Sequence, residues 1–312
     1  MIRIFSTAQN NKFREIDSIE PGAWIHLLDP SEEEIVSVRD ALHIEDEFIR
    51  AALDSEEAVR IDVEDDQTLV LVDIPVVTSE RNSFVYTTLP MGIIVTADNI
   101  ITVCLEETSI LEDFWNQNIR GGFDTCKKTR FLLQILYKNA SKYLQYLRQI
   151  DKASTQVENA LHKSMKNSEL IQMLKLEKSL VYFSTSLKSN EVVLEKMLKS
   201  RVIKSYPDDL DLLEDVIVEN KQAIEMGTIY RDILSGTMDA FASVISNNLN
   251  IVMKILTSLT IILAIPTLFA SLWGMNVPVP FAAEPLGFLW VIVIAGICSG
   301  AAAYILWKKK MF

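Results

Sequence analysis

"ILTSLTIILAIPTLFASLW" (Ile255–Trp273) runs for 19 residues without a charge, and "FLWVIVIAGICSGAAAYILW" (Phe288–Trp307) for another 20. A hydrocarbon core about 30 Å thick needs roughly 20 residues of helix at 1.5 Å each, so either run crosses a membrane once. Between them Gly274–Gly287 carries a single charge, Glu284, and the second run ends on Lys308–Lys310. Lysines at a span's end stay on the cytoplasmic side. The pattern therefore predicts a C-terminal hairpin with both termini cytoplasmic and Gly274–Gly287 outside, in a multi-pass protein of the cell (plasma or inner) membrane.

The charge balance fits that division. The whole chain has a net charge of −12, yet the first 250 of its 312 residues hold 26 basic and 41 acidic side chains, a net of −15. An acidic surface excludes nucleic acid as a natural partner and favours cations. The cysteines Cys104, Cys126 and Cys298 are far apart and odd in number, with neither disulfide nor zinc spacing. His26, His43 and His162 form no ligand cluster and read as structural or surface residues. The start, "MIRIFSTAQNNKFREIDSIE", lacks the charged–apolar–small order of a signal peptide.

Upstream of the hairpin the pattern changes once. "AWIHLLD", "TLVLVDIPVV", "FVYTTLPMGIIVT" and "NIITVCLE" are β-branched and aromatic runs bounded by turn formers, and "SEEEIVSVRDALH" opens with Ser31 and Glu34 in capping-box spacing. From about Lys127 the spacing becomes helical (Phe131, Ile135, Tyr143, Leu147, Ile150). Ser168 caps a second helix running towards Ser200, and Pro207 suits the entrance of a third starting near Asp208. No strong stop follows before Gly274, so that helix is predicted to run on through the first span, near 100 Å in all. The expected fold is an α+β membrane protein. Its parts are a cytoplasmic α/β domain (1–126), a cytoplasmic helical stalk or funnel (127–250) and a pore-lining span (251–273). An outer loop (274–287), a second span (288–307) and a basic tail (308–312) complete it.

Along the first span one face stands apart. Asn250, Met253, Thr257, Thr260, Ala264, Thr267 and Ser271 recur at alternating steps of three and four, a seam of about 32 Å. Small and hydroxyl residues suit a helix–helix interface. They equally suit a water-lined path, and Asn250 and Asn276 stand near its two ends. Two spans cannot enclose a path alone, so conduction requires several copies around an axis. No charge lies on the seam from Met253 to Ser271, which suits a strongly hydrated divalent ion such as Mg²⁺. Pro266 removes one intrahelical hydrogen bond within the span.

"YRDILSGTMDAF…NNLNIVMKILT…LWGMN" resembles the CorA family of divalent-cation channels, closely from about Asp215 to Asn276 and in architecture over the rest. The resemblance implies a homopentamer that takes up Mg²⁺, with Co²⁺ and Ni²⁺ as secondary substrates. It makes Gly274, Met275 and Asn276 the selectivity filter, with Asn276 as the outer asparagine. Asn250 becomes the inner-mouth asparagine, and Met253 and Leu256 the apolar gate; Leu256 joins the seam only if the helix rotates slightly. "IPTLFASLWGMNV" departs from the commoner family wording "IPLTFIAGIYGMNF" and marks a divergent branch.

"DDLDLLEDVIVEN" puts Asp208, Asp211, Asp215 and Glu219 on one helical face at steps of three, four and four. Either the face is simply solvated, or it binds cations that relieve like-charge repulsion. Asp215 matches the family position that holds regulatory Mg²⁺ between subunits, with Glu80 of a neighbour as the candidate partner. Internal Mg²⁺ would then favour the closed state. No GxxxxGK[ST] loop and no nucleophile–base set is present, so an enzyme is not expected. The alternatives are a Zn²⁺ transporter of the same superfamily and a non-conducting, membrane-anchored sensor or scaffold.

Overall fold

The computed structural model describes residues 1–7, 13–80, 83–119, 122–164, 167–200, 207–277, 279–280 and 286–311. In chain order the elements are β1 (Ile2–Ser6), β2 (Arg14–Glu15), β3 (Trp24–Leu28), α1 (Glu32–Leu42), α2 (Asp46–Ala51), β4 (Arg60–Glu64), β5 (Gln67–Glu80), β6 (Ser83–Val95), β7 (Ile100–Cys104), α3 (Ser109–Trp115), α4 (Lys128–Ser164), α5 (Asn167–Ser200), α6 (Pro207–Trp273) and α7 (Gly287–Lys308). Two compact units divide the chain, Met1–Ser235 and Gly236–Phe312.

In the first unit seven strands form one sheet in the order β2-β1-β3-β7-β6-β5-β4. Only β3 and β7 pair in parallel; the other neighbours are antiparallel. Both faces are covered, which explains the unbroken apolar run in β5. Leu69 and Leu71 point to a core shared with Ile35, Val38 and Phe48 of α1 and α2. Val70, Val72 and Ile74 point the other way, to Phe131, Val193 and Val216 of α4, α5 and α6. Alternate residues of one strand thus feed two cores, as the period of two requires. The long helices and the sheet share a core, although the sequence pattern changes from strand to helix near Lys127.

Two local signals act where expected, and a third does not: Ser168 is the second residue of α5 rather than its cap, and its Oγ donates to Glu169 Oε2 at 2.8 Å. Ser31 Oγ accepts the Glu34 N–H at 3.3 Å and Glu34 Oε2 accepts the Ser31 N–H at 2.9 Å, a reciprocal cap for α1. Pro207 is the first residue of α6, where its missing N–H costs nothing. Asp209, in the next position but one, is buried and lies 3.6 Å from Arg130 of α4.

His26 is a structural residue in the β3 core, 1% exposed, with Nδ1 3.0 Å from Thr102 Oγ1. Burial lowers its pKa from 6.5 to about 4, helped by the charges of Arg3 and the N-terminal amine. The folded state therefore resists protonation that the unfolded chain accepts. Its stabilisation is complete above pH 6.5 and is lost as pH falls through the interval to about 4. The loss amounts to roughly 3 kcal/mol. Thermal melts of wild type and His26→Gln at pH 7 and 4.5 check this: the wild type should lose more on acidification. Equal losses would remove His26 from the account.

The second unit contains the remainder of α6 and all of α7. α6 continues through Pro266 without a break. Its Ser258 is fully buried, and Ser258 Oγ donates to Met311 O at 3.3 Å, tying the chain's end to this helix. Ile262, Ile265, Phe269 and Trp273 extend the same partly buried stripe. On α7 the covered residues include Val291, Ala295, Cys298, Ser299, Ala302 and Leu306, most of them small. Everything else on these two helices is largely exposed and apolar. Only 6% and 11% of their most apolar windows are buried, which separates them from the core helices of a water-soluble protein.

Candidate ion pathway and acidic face

Each seam residue occupies the uncovered side of α6. Asn250, Met253, Thr257, Thr260, Ala264, Thr267 and Ser271 are all exposed, as is Leu256. At about 100° per residue they lie roughly opposite the Ser258–Trp273 stripe covered within the chain. The covered small residues of the hairpin belong to α7, and the seam is left uncovered within the chain. Thr260 Oγ1 donates to Leu256 O at 2.8 Å and Thr267 Oγ1 donates to Leu263 O at 3.0 Å. Each hydroxyl proton is thereby committed to the helix, and its oxygen lone pairs face outward as acceptors. Such oxygens are placed to accept hydrogen bonds from water.

At its C-terminal end α6 stops at Trp273. The Gly274 N–H bonds to Ala270 O at 3.0 Å and the Met275 N–H to Leu272 O at 3.4 Å, so the last turn closes on its own carbonyls. Trp273 Nε1 donates to Pro280 O at 2.9 Å, drawing the following segment back across the helix end. Gly274, Met275 and Asn276 stand exposed on this staple. A local tether holds the tripeptide without covering it. The tether was not part of the sequence reading; the indole at the helix end and the prolines beyond it were its only signal. Glu284 lies outside the described residues.

Asp208, Asp211 and Asp215 are exposed on α6 in the first unit. Glu219, partly covered, accepts the Ser141 Oγ–H at 3.1 Å and is thereby tied to α4. Glu80 ends β5 opposite Ser83, and its side chain is outside the described ones. Among the described residues no three His, Cys, Asp or Glu side chains gather into a metal-sized cluster.

The family model for "CorA-like Mg2+ transporter protein" matches residues 21–310. The chain belongs to the CorA family. CorA proteins are membrane ion transporters rather than enzymes. The cobalt/magnesium transport protein CorA of Methanocaldococcus jannaschii is 25% identical over 280 residues, covering 86% of this chain and 84% of that protein. The complete structure of the CorA magnesium transporter from the same organism superposes with a TM-score of 0.84 at 24% identity, across 98% of this chain and 96% of that one. The cytoplasmic domain of ZntB from Vibrio parahaemolyticus matches with a TM-score of 0.59 at 13% identity, over 79% of this chain and 96% of that domain. This CorA chain thus carries the family fold from the sheet to the hairpin, and the two structural likenesses concern the fold alone.

Proposed function

We propose that the protein is a Mg²⁺ uptake channel that works as a homopentamer in the cell membrane, with Co²⁺ and Ni²⁺ as further substrates and both termini cytoplasmic. The observation that carries this reading is the oxygen-bearing seam of α6, exposed opposite the stripe covered within the chain and running towards Asn276. Five copies closed around an axis turn that seam into an uncharged, wet conduit. Asn276, Gly274 and Met275 form its outer filter; Met253 and Leu256 form an apolar constriction near the inner mouth, beside Asn250. A hydrated Mg²⁺ ion passes without shedding its tightly held water, because amide and hydroxyl oxygens accept hydrogen bonds from that shell.

Uptake needs no chemical fuel. A divalent ion entering down an inside-negative potential of 100 mV gains about 4.6 kcal/mol, twice the value for a single charge. Closure follows internal Mg²⁺. Asp208, Asp211 and Asp215 repel one another along α6, and among the described residues they belong to no cluster that could hold a metal ion within one chain. Carboxylates of a neighbouring subunit, Glu80 among them, complete the site in the assembly. Mg²⁺ held there stabilises the closed arrangement by its higher affinity for that state.

Liposomes containing the purified protein test the function. Mg²⁺ entry should rise with an inside-negative potential and be indifferent to a proton gradient. Zn²⁺ entry in place of Mg²⁺, or no flux of Mg²⁺, Co²⁺ or Zn²⁺, would refute the proposal.

A further inference from the structure

Three asparagines, one from each long helix of the first unit, surround strand β5. Asn190 of α5 receives the Asp73 N–H on its Oδ1 at 2.9 Å and donates Nδ2–H to Asp73 O at 2.8 Å. Asn139 of α4 donates Nδ2–H to the same carbonyl at 2.9 Å. Asn220 of α6 donates Nδ2–H to Leu187 O at 3.0 Å. None of the three is more than 3% exposed.

Together with Val72, Leu136 and Leu194 they line a void of about 10 Å³. Asn139 Oδ1 is buried and has no hydrogen-bond partner among the described residues. Rotating the Asn139 amide does not relieve this, because its other end faces a carbonyl oxygen that can only accept. The orientation is therefore fixed, and an acceptor in the core lacks a donor. Native proteins seldom leave such a group unsatisfied.

We propose that one water molecule is a permanent component of this core, donating to Asn139 Oδ1 and bridging α4, α5 and α6 above β5. The void has the room that a single water requires, about 10–15 Å³, and dry cavities are apolar whereas this one is lined by three amides. A metal ion is disfavoured on composition: no charged side chain lines the void, and Mg²⁺ or Ca²⁺ demands six or more oxygens. The inference rests on the first unit's packing and is independent of what the protein transports.

Two threonine variants of the full-length protein provide the test. Val70 and Val72 are both fully buried on the same strand and point to the same core, but only Val72 lines the void. A hydroxyl at position 70 must be buried among apolar neighbours. At position 72 it takes over the water's role as donor to Asn139. Detergent-solubilised Val72→Thr should therefore melt within about 1 °C of wild type while Val70→Thr falls by several degrees. Equal losses in the two variants would overturn the proposal. A structure resolving ordered solvent should show one peak roughly 2.7–3.2 Å from Asn139 Oδ1. An empty void, or a metal ion with ligands at about 2.0–2.6 Å, would overturn it as well.

Discussion

Asn276→Ala is expected to abolish selective Mg²⁺ uptake while the protein still assembles. The side chain stands exposed beyond the last turn of α6, so its removal takes away no core packing. In the proposed pentamer it removes a ring of amide oxygens at the mouth of the pathway. Those oxygens receive hydrogen bonds from the ion's own water, weakly enough that the ion moves on. Alanine offers nothing in exchange, and the ion's shell then meets an apolar rim. The initial rate of Mg²⁺ entry into liposomes should fall by at least about tenfold, equivalent to about 1.4 kcal/mol at the entry step. Size-exclusion elution in detergent should match that of wild type. Wild-type flux in the variant would remove Asn276 from the filter.

Asp215→Lys is expected to uncouple flux from internal Mg²⁺. Asp215 is exposed on α6, one step of four from both Asp211 and Glu219. Like charges at that spacing oppose the helix and favour a bound cation. In the proposed sensor lysine removes a ligand and supplies a fixed positive charge, so Mg²⁺ should lose its preference for the closed state. In the wild type, a coupling of about 1–3 kcal/mol corresponds to roughly a 5–150-fold change in that equilibrium. The variant's flux at high internal Mg²⁺ should approach its flux at low internal Mg²⁺. Inhibition as strong as in the wild type would contradict the sensor.

Much of the fold was legible because its strongest signals are long. The apolar runs of β5, β6 and β7, the Ser31–Glu34 cap, the entrance at Pro207 and the uninterrupted path to Trp273 all stand where the sequence places them. The short helices were not legible. α2 is six residues and α3 seven, under two turns and too short for a helical period to emerge. β4 has Arg60, Asp62 and Glu64 alternating with apolar residues at the sheet's edge, where charge protects an exposed strand but hides its hydrophobic signal.

The seam could be read as one uncovered face because the steps of three and four along α6 need only helical geometry. Which side of that helix faces α7 depends on the partner. Ser258 on α6 and Ala295 and Ala302 on α7 are covered, while the threonines are left exposed. Glu219 shows the limit of a pattern: it shares the acidic face by spacing, yet its carboxylate is engaged by Ser141 of another helix. The three asparagines around β5 were silent in the sequence for the same reason. Asn139, Asn190 and Asn220 are far apart along the chain, and only packing brings them together.

The central claim concerns the direction in which the seam points once subunits assemble. Electron cryo-microscopy of the full-length protein in lipid nanodiscs measures it directly. The account predicts a ring of five chains with Thr257, Thr260, Thr267 and Asn276 around a shared axis and the α7 helices outside. A monomer, or a ring in which those threonines face the lipid, would contradict it.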